Sequence, residues 1–145
     1  MKFRVLEAGA AKTYALIFAK DEEFIAGLTS WAKKGKLGGS HFTAIGAFRE
    51  VTLGYFERDK KAYKKIPVRE QVEVLSLIGD IALNDGTSQI HAHVVVGKAD
   101  GTAHGGHLLE AYVWPTLEVI LTESPQHLCR KYDPETGLAL IDPRE

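Results

Sequence analysis

Only one stretch of this 145-residue chain carries a helical pattern. Phe24, Leu28 and Trp31 recur at i, i+4 and i+7, with Ile25 and Ala32 beside them, which makes one apolar stripe. Asp21 is the expected N-cap, with Glu22 and Glu23 in the first turn, where negative charge favours a helix. Lys33 and Lys34 suit the last turn and Gly35 the stop. Nearly all the rest is short β-favouring runs broken by turn signals. The strands do not alternate with helices, so a doubly wound parallel sheet is disfavoured. The expectation is one α+β domain over residues 1–145. Its sheet should be largely antiparallel and curved, with one main amphipathic helix and room for a short second one.

The strands expected are Lys2 to Ala8, Thr13 to Ala19, His41 to Phe48, Val51 to Phe56, Val68 to Leu77 with Ile81 to Leu83, and Ser88 to Val96. Leu108 to Val113, Leu117 to Thr122, Leu128 to Tyr132 and Leu138 to Ile141 follow. Asn84-Asp85-Gly86 signals a tight hairpin. Asp100-Gly101 and Asp133 to Gly137 signal further turns, and Trp114-Pro115 a bend or sheet edge. Gly46 and Gly54 suggest bulges or close contacts, and Arg58 to Lys65 reads as a charged turn region.

No apolar run is long enough to span a bilayer, and the first residues lack the apolar stretch of a signal peptide, so a cytoplasmic setting is expected. The single cysteine, Cys129, excludes an intrachain disulfide and a cysteine-rich zinc framework. Net charge is −1 but unevenly spread: residues 31–65 hold nine Lys or Arg against three acids. Lys33, Lys34, Lys60, Lys61 and Lys65 are the candidates for contact with phosphates, although a solvated loop and helix end explains the same residues. The whole-chain charge is not that of a dedicated nucleic-acid binder.

Four of the six histidines fall between positions 91 and 107. His91 and His93 flank one alanine in a β-branched run, so on a strand both point to the same face, ~7 Å apart along it. The Gly105-Gly106 pair before His107 permits a close backbone approach that brings a third imidazole over that face. His91, His93 and His107 are therefore the candidate ligands of one metal ion with a fourth position open. Zinc is the first expectation, ahead of other divalent transition metals. Whether His104 or a carboxylate joins them stays open. Three histidines bonded within a polar pocket or at a subunit contact are the plainer alternative. Catalysis would also need a proton carrier. Glu118, in the apolar run Thr116 to Leu121, is the candidate, with Arg130 a conceivable partner; Glu73 and Glu110 read as carboxylates on a wet strand face. No glutamate follows His93 closely enough for a cupin, and no P-loop, Rossmann or Ser-His-Asp order is present.

Glu73-Val-Leu-Ser-Leu-Ile-Gly79, His91-Ala-His93, Asp100-Gly101, Gly105-Gly106-His107-Leu108 and Leu117-Glu-Val-Ile120 together resemble the plants-and-prokaryotes-conserved domain. Ala44 to Phe48 after the helix and Arg130 to Asp133 before Gly137-Leu138 fit the same pattern, so the likeness covers nearly the whole chain. It implies a compact α+β fold, a homotrimer, and histidine positions that land on His91, His93 and His107, with His104 where the pattern is less demanding. In plants this domain accompanies AT-hook DNA-binding segments, and bacterial members are often labelled DNA-binding. This chain has no Arg-Gly-Arg-Pro core, which puts minor-groove binding by that device in doubt. The leading expectation is a DNA-binding or regulatory protein with a three-histidine zinc site. The alternative is a metal-dependent hydrolase or lyase acting on a small polar molecule at the open position. Fold likeness alone does not choose between them.

Overall fold

The computed structural model describes residues 1–8 and 10–143. One sheet dominates it. Its strands are β1 (Lys2–Ala8), β2 (Lys12–Ala19), β3 (Gly39–Glu57), β4 (Ala62–Val68), β5 (Val72–Asn84), β6 (Thr87–Gly97), β7 (Ala103–Glu123), β8 (Cys129–Asp133) and β9 (Leu138–Asp142). The helix α1 spans Phe24–Gly35. Every strand pair is antiparallel except β5 with β8. The fold is the α+β arrangement expected. The second helix reduces to a single 3₁₀ turn at Arg58–Lys60.

Two long strands set the curvature. β7 pairs β6 through Ala103–His107, then β3, and its C-terminal half also pairs β2. β3 pairs β5 through Gly39–Phe48 and β4 through Val51–Glu57. Because β5 pairs β6 and β6 pairs the start of β7, the ladder β7–β3–β5–β6 closes on itself. Closure removes exposed edges and leaves an interior for side chains. Phe42, Leu77, Val94, Val96, Leu108, Leu117 and Leu121 fill it, each no more than 2 % exposed. Phe24, Leu28 and Ala32 of α1 pack into the same core, where Phe24 meets Phe18 and Phe42 edge to face.

The structure corrects several local expectations. Glu23, not Asp21, caps α1: its carboxylate accepts from the Ile25 and Ala26 amides. Asp21 instead sits at φ 66° in the preceding turn, with its N–H bonded to Val113 O. The left-handed stop is Lys36 rather than Gly35, because the Lys36 and Leu37 amides turn back onto Lys33 and Ala32 carbonyls. The two strands expected over 41–56 are one bulged strand, as are the two over 108–122, with Trp114-Pro115 inside β7. The charged region 58–65 is a 3₁₀ turn followed from Ala62 by strand β4, which is held by pairing with β3 that no local pattern encodes.

The hairpins match expectation. Asp85 (φ 49°) and Gly86 (φ 72°) make the two-residue turn between β5 and β6, both in the left-handed region that such turns require. Gly46 sits at a bulge with φ 144°, where an added Cβ would lie 2.3 Å from Thr116 O. No helix among the described residues is long and apolar enough to cross a membrane.

Gly79 tests this packing. An added Cβ would lie 2.3 Å from Phe42 Cζ and 2.7 Å from His91 O, so neither ring nor strand can stay in place. Gly79→Ala is expected to cost about 1–3 kcal/mol, as overpacked core positions do. A urea unfolding curve should show a lower midpoint with an unchanged slope; an unshifted midpoint would contradict the packing described.

Candidate metal centre

The hairpin register places the first two histidines. With Asn84 opposite Thr87, Asp80 falls opposite His91 and Ile78 opposite His93. Ala92 and Val94 point into the core at 2 % exposure each, so strand alternation turns His91 and His93 to the outer face. The third comes from sheet closure. β7 starts beside β6 with His107 opposite His93, and His107 faces Gly54 of β3 on its other side. Gly106 permits this: an added Cβ would lie 2.8 Å from Gly54 O. The turn itself is at Asp100-Gly101, and Gly105-Gly106 are already within the strand.

The three imidazoles converge as expected. One nitrogen of each lies within 4.8 Å of those of the other two. His91 Nε2 and His93 Nε2 are 3.1 Å apart. Ligand atoms in a tetrahedral zinc site sit about 3.3 Å apart, given bonds of about 2.0–2.1 Å. The ring centroids lie 5.0–5.4 Å from one another. Three neutral nitrogen donors without a thiolate suit zinc or another divalent transition metal, and leave a coordination position open. His104 is outside the cluster: it lies opposite Val96, three residues from His107 and so on the other face.

Groups behind the rings hold them. His91 Nδ1 is 3.7 Å from Asp80 Oδ2, which directs Nε2 towards the cluster centre. Asp80 is in turn bonded by the Arg130 guanidinium from β8. Burial would raise the Asp80 carboxyl, but the His91 ring and the Arg130 charge outweigh it and hold it below its ordinary value. Tyr63 of β4 stacks on His107 at 4.4 Å, with its hydroxyl 3.4 Å from Nδ1. Burial pushes the Tyr63 phenol up, so it remains a neutral hydrogen-bonding group. Burial lowers His93, and the nearby His91 lowers it further. His107 is pushed down to about 4, by burial first and then by His91 and His93. Both rings are therefore neutral at pH 7, the form that binds metal.

Two cavities flank the cluster. One, of about 340 Å³, is bounded by Ile78, Gly79, Asp80, His91 and His93. The other, of about 180 Å³, lies between His91, His107, Tyr63, Arg130 and the β8–β9 hairpin.

Other candidates lie elsewhere. Glu118 is exposed on the outer face, opposite Ile17 and Ile45 and eleven residues along β7 from His107. The structure does not bring it to the histidines, and the Arg130 partner is Asp80. Glu73 is exposed and Glu110 accepts a hydrogen bond from Tyr112, both on wet faces as expected. The lysines form two groups: Lys33 and Lys34 end α1, while Lys60 is on the 3₁₀ turn, Lys61 is the residue that caps it and Lys65 is on β4. Lys60 pairs with Glu57, and Lys61 reaches Pro134 O. Asp80 and Tyr63 are the site residues that sequence reasoning missed. The hairpin alone signals Asp80, since counting back from Asp85-Gly86 sets it opposite His91; Tyr63 has no such signal.

Residues 5–125 match the Plants and Prokaryotes Conserved (PCC) domain. This chain belongs to that family. A Pyrococcus horikoshii plant- and prokaryote-conserved protein is 33 % identical, with a TM-score of 0.84 over 97 % of this chain and 94 % of the other. A metal-containing protein from Archaeoglobus fulgidus is 30 % identical, with a TM-score of 0.82 over 97 % and 96 %. A Bacteroides thetaiotaomicron protein provisionally described as DNA-binding is 27 % identical, with a TM-score of 0.88 over 99 % of both chains. Among curated proteins, the bifunctional protein GlmU of Synechococcus is 27 % identical over 135 residues, 91 % of this chain. The chain spans about a fifth of the length of the curated relatives it matches.

The neutral His107 has a consequence for the metal-free domain. Unfolded, its imidazole takes up a proton near pH 6.5; folded, only near pH 4. Between those values the unfolded chain binds more protons, so stability should be full above pH 6.5 and fall as the pH drops towards 4. His107→Gln should flatten that slope. Melting temperatures of both proteins from pH 7 to 4.5 check this, and parallel curves would contradict the burial of His107.

Proposed function

We propose that this domain is a DNA-associated regulatory module that holds one divalent transition metal, zinc first, on His91, His93 and His107, and works as a homotrimer in the cytoplasm. The observation that carries the metal reading is the convergence of three imidazole nitrogens within 4.8 Å of one another. The metal-containing archaeal relative supports it. The DNA reading draws on relatives from Bacteroides and Ralstonia provisionally described as DNA-binding, and on the exposed lysines of β4 and the turn before it. The mode inferred for these residues is contact with phosphates through Lys60, Lys61 and Lys65.

The trimer reading has support on the outer sheet face. An antiparallel sheet with one wet face carries polar residues there. Here Ile17, Ile45, Leu75, Ile78, Val95 and Ile120 are 39–62 % exposed. Ile120, Thr43, Ile78 and His93 follow one another across adjacent strands, so the apolar patch runs up to the histidines. Patches of this kind mark contact surfaces.

The open coordination position and its two cavities favour a second reading, a metal-dependent hydrolase or lyase for a small polar molecule. When bound, the metal would supply Lewis acidity or a water of lowered pKa. This chain's own contribution is to fix the rings: Asp80 orients His91, and Tyr63 packs on His107.

One titration separates the readings. Zinc-loaded protein, shown by light scattering to have the mass of three chains, is added to labelled duplex DNA at rising salt. The regulatory reading expects affinity that falls steeply with salt. It expects a loss of roughly tenfold or more when Lys60, Lys61 and Lys65 are changed to Gln. Absence of binding at low salt removes the DNA role. Chelator-sensitive turnover that His107→Ala abolishes would then establish the enzyme.

A further inference from the structure

The β8–β9 hairpin is joined to the rest of the sheet by few attachments. β8 pairs with β9 along its whole length. Among the described residues, only Leu83 opposite Cys129 and Asn84 opposite Arg130 pair β8 with β5, and β9 pairs with β8 alone. None of the apolar residues of the two strands is fully buried, and Tyr132, Leu140 and Ile141 are exposed. Docking of the hairpin therefore removes little apolar surface from water. Segments with so few buried apolar contacts open locally while the rest of a fold stays intact.

Polar contacts fasten it instead. Lys61 Nζ donates to Pro134 O at its tip, at 2.6 Å. Arg130 reaches Asp80 with one terminal nitrogen, while the other donates to Ala139 O within the hairpin at 3.3 Å. The Arg130 side chain is 6 % exposed, and its Nε–H has no hydrogen-bond partner among the described residues. A buried donor left unpaired on a charged group works against the closed state, and water relieves it when the hairpin lifts. Leu128 fixes the end about which it lifts: its N–H is bonded to Gly38 O and its carbonyl to the Leu83 N–H, both at 2.7 Å.

The hairpin covers one side of the histidine cluster. Leu138, Ala139 and Leu140 wall the cavity beside His91 and His107. Asp80 links the two. One of its oxygens takes the Arg130 bond, and the other lies 3.7 Å from His91 Nδ1. We propose that the hairpin is a hinged clamp that closes on the histidine cluster through Arg130 and Asp80, so that its closure and metal binding strengthen each other. This rests on the metal reading. The Asp80 side chain is 31 % exposed, so without Arg130 it turns to water and His91 loses the group that aims its Nε2. Arg130 is thus a positioning residue that acts through Asp80. Coupling is reciprocal: the factor by which closure tightens metal binding is the factor by which metal holds the hairpin closed.

Amide hydrogen exchange of the wild-type protein, read residue by residue with and without zinc, tests the clamp. Bound zinc is measured on the same samples. A two-stranded hairpin is marginal alone, so its amides exchange whenever it lifts. Without zinc, the paired amides of β8 and β9 should exchange faster than those of β3, β5 and β7. Saturating zinc should slow them roughly tenfold or more, while the outer β1–β2 ladder keeps its rates. Arg130→Gln should weaken zinc binding by roughly tenfold or more, measured by competition with a chelator. In that variant the hairpin should exchange equally fast with and without saturating zinc. Zinc that binds the wild-type protein without slowing the hairpin overturns the clamp and leaves the metal site standing. Zinc that does not bind overturns both. Wild-type zinc affinity in a folded Arg130→Gln protein also overturns the clamp. The wild-type exchange decides the matter even where the variant fails to fold.

Discussion

The pairing of β6 with the first residues of β7 is the contact on which the rest depends. It is short, from His93 opposite His107 to Gly97 opposite Ala103, yet it does two things at once. It closes the ladder of β7, β3, β5 and β6, so the core is enclosed by hydrogen-bonded backbone rather than by loose edges. It also brings the one histidine that is distant along the ladder next to the pair that strand alternation already aligns. Closure and convergence are therefore one event. Glycine at position 106 is what the tight approach to β3 needs, and a larger residue there would press on Gly54 O.

Behind the three rings, the groups form a chain from the sheet to the C-terminal hairpin. Arg130 on β8 holds Asp80 on β5, and Asp80 faces His91 on β6. Tyr63, on the far side of β3, closes over His107. Each contact comes from a different strand, so the orientation of the cluster reports the packing of the whole sheet. Burial keeps His93 and His107 neutral, and like-charge repulsion among the three rings works the same way. A cation at the centre would convert that crowding of lone pairs into bonds.

Local signals made much of this legible. The α+β class, the helix, the Asp85-Gly86 hairpin and the alternation of His91 and His93 all follow from spacings within a dozen residues. The approach of His107 was readable from Gly105-Gly106. What escaped was set by pairing between distant strands. β4 looks like a charged turn because its lysines are wet, and only its ladder with β3 makes it a strand. Tyr63 reaches the site by that ladder, so nothing near position 63 announces it. Glu118 looks half-buried from its apolar neighbours, but alternation puts Leu117 and Val119 in the core and Glu118 outside. The cap moved from Asp21 to Glu23 because the Asp21 amide is drawn into a turn against β7.

The central claim is that three imidazoles gather on one cation. X-ray absorption at the zinc edge of the loaded protein tests it most directly. The account predicts a first shell of nitrogen and oxygen only, at about 2.0–2.1 Å, with outer-shell scattering from three imidazole rings. A first shell of carboxylate and water oxygens, with scattering from one ring or none, would contradict it.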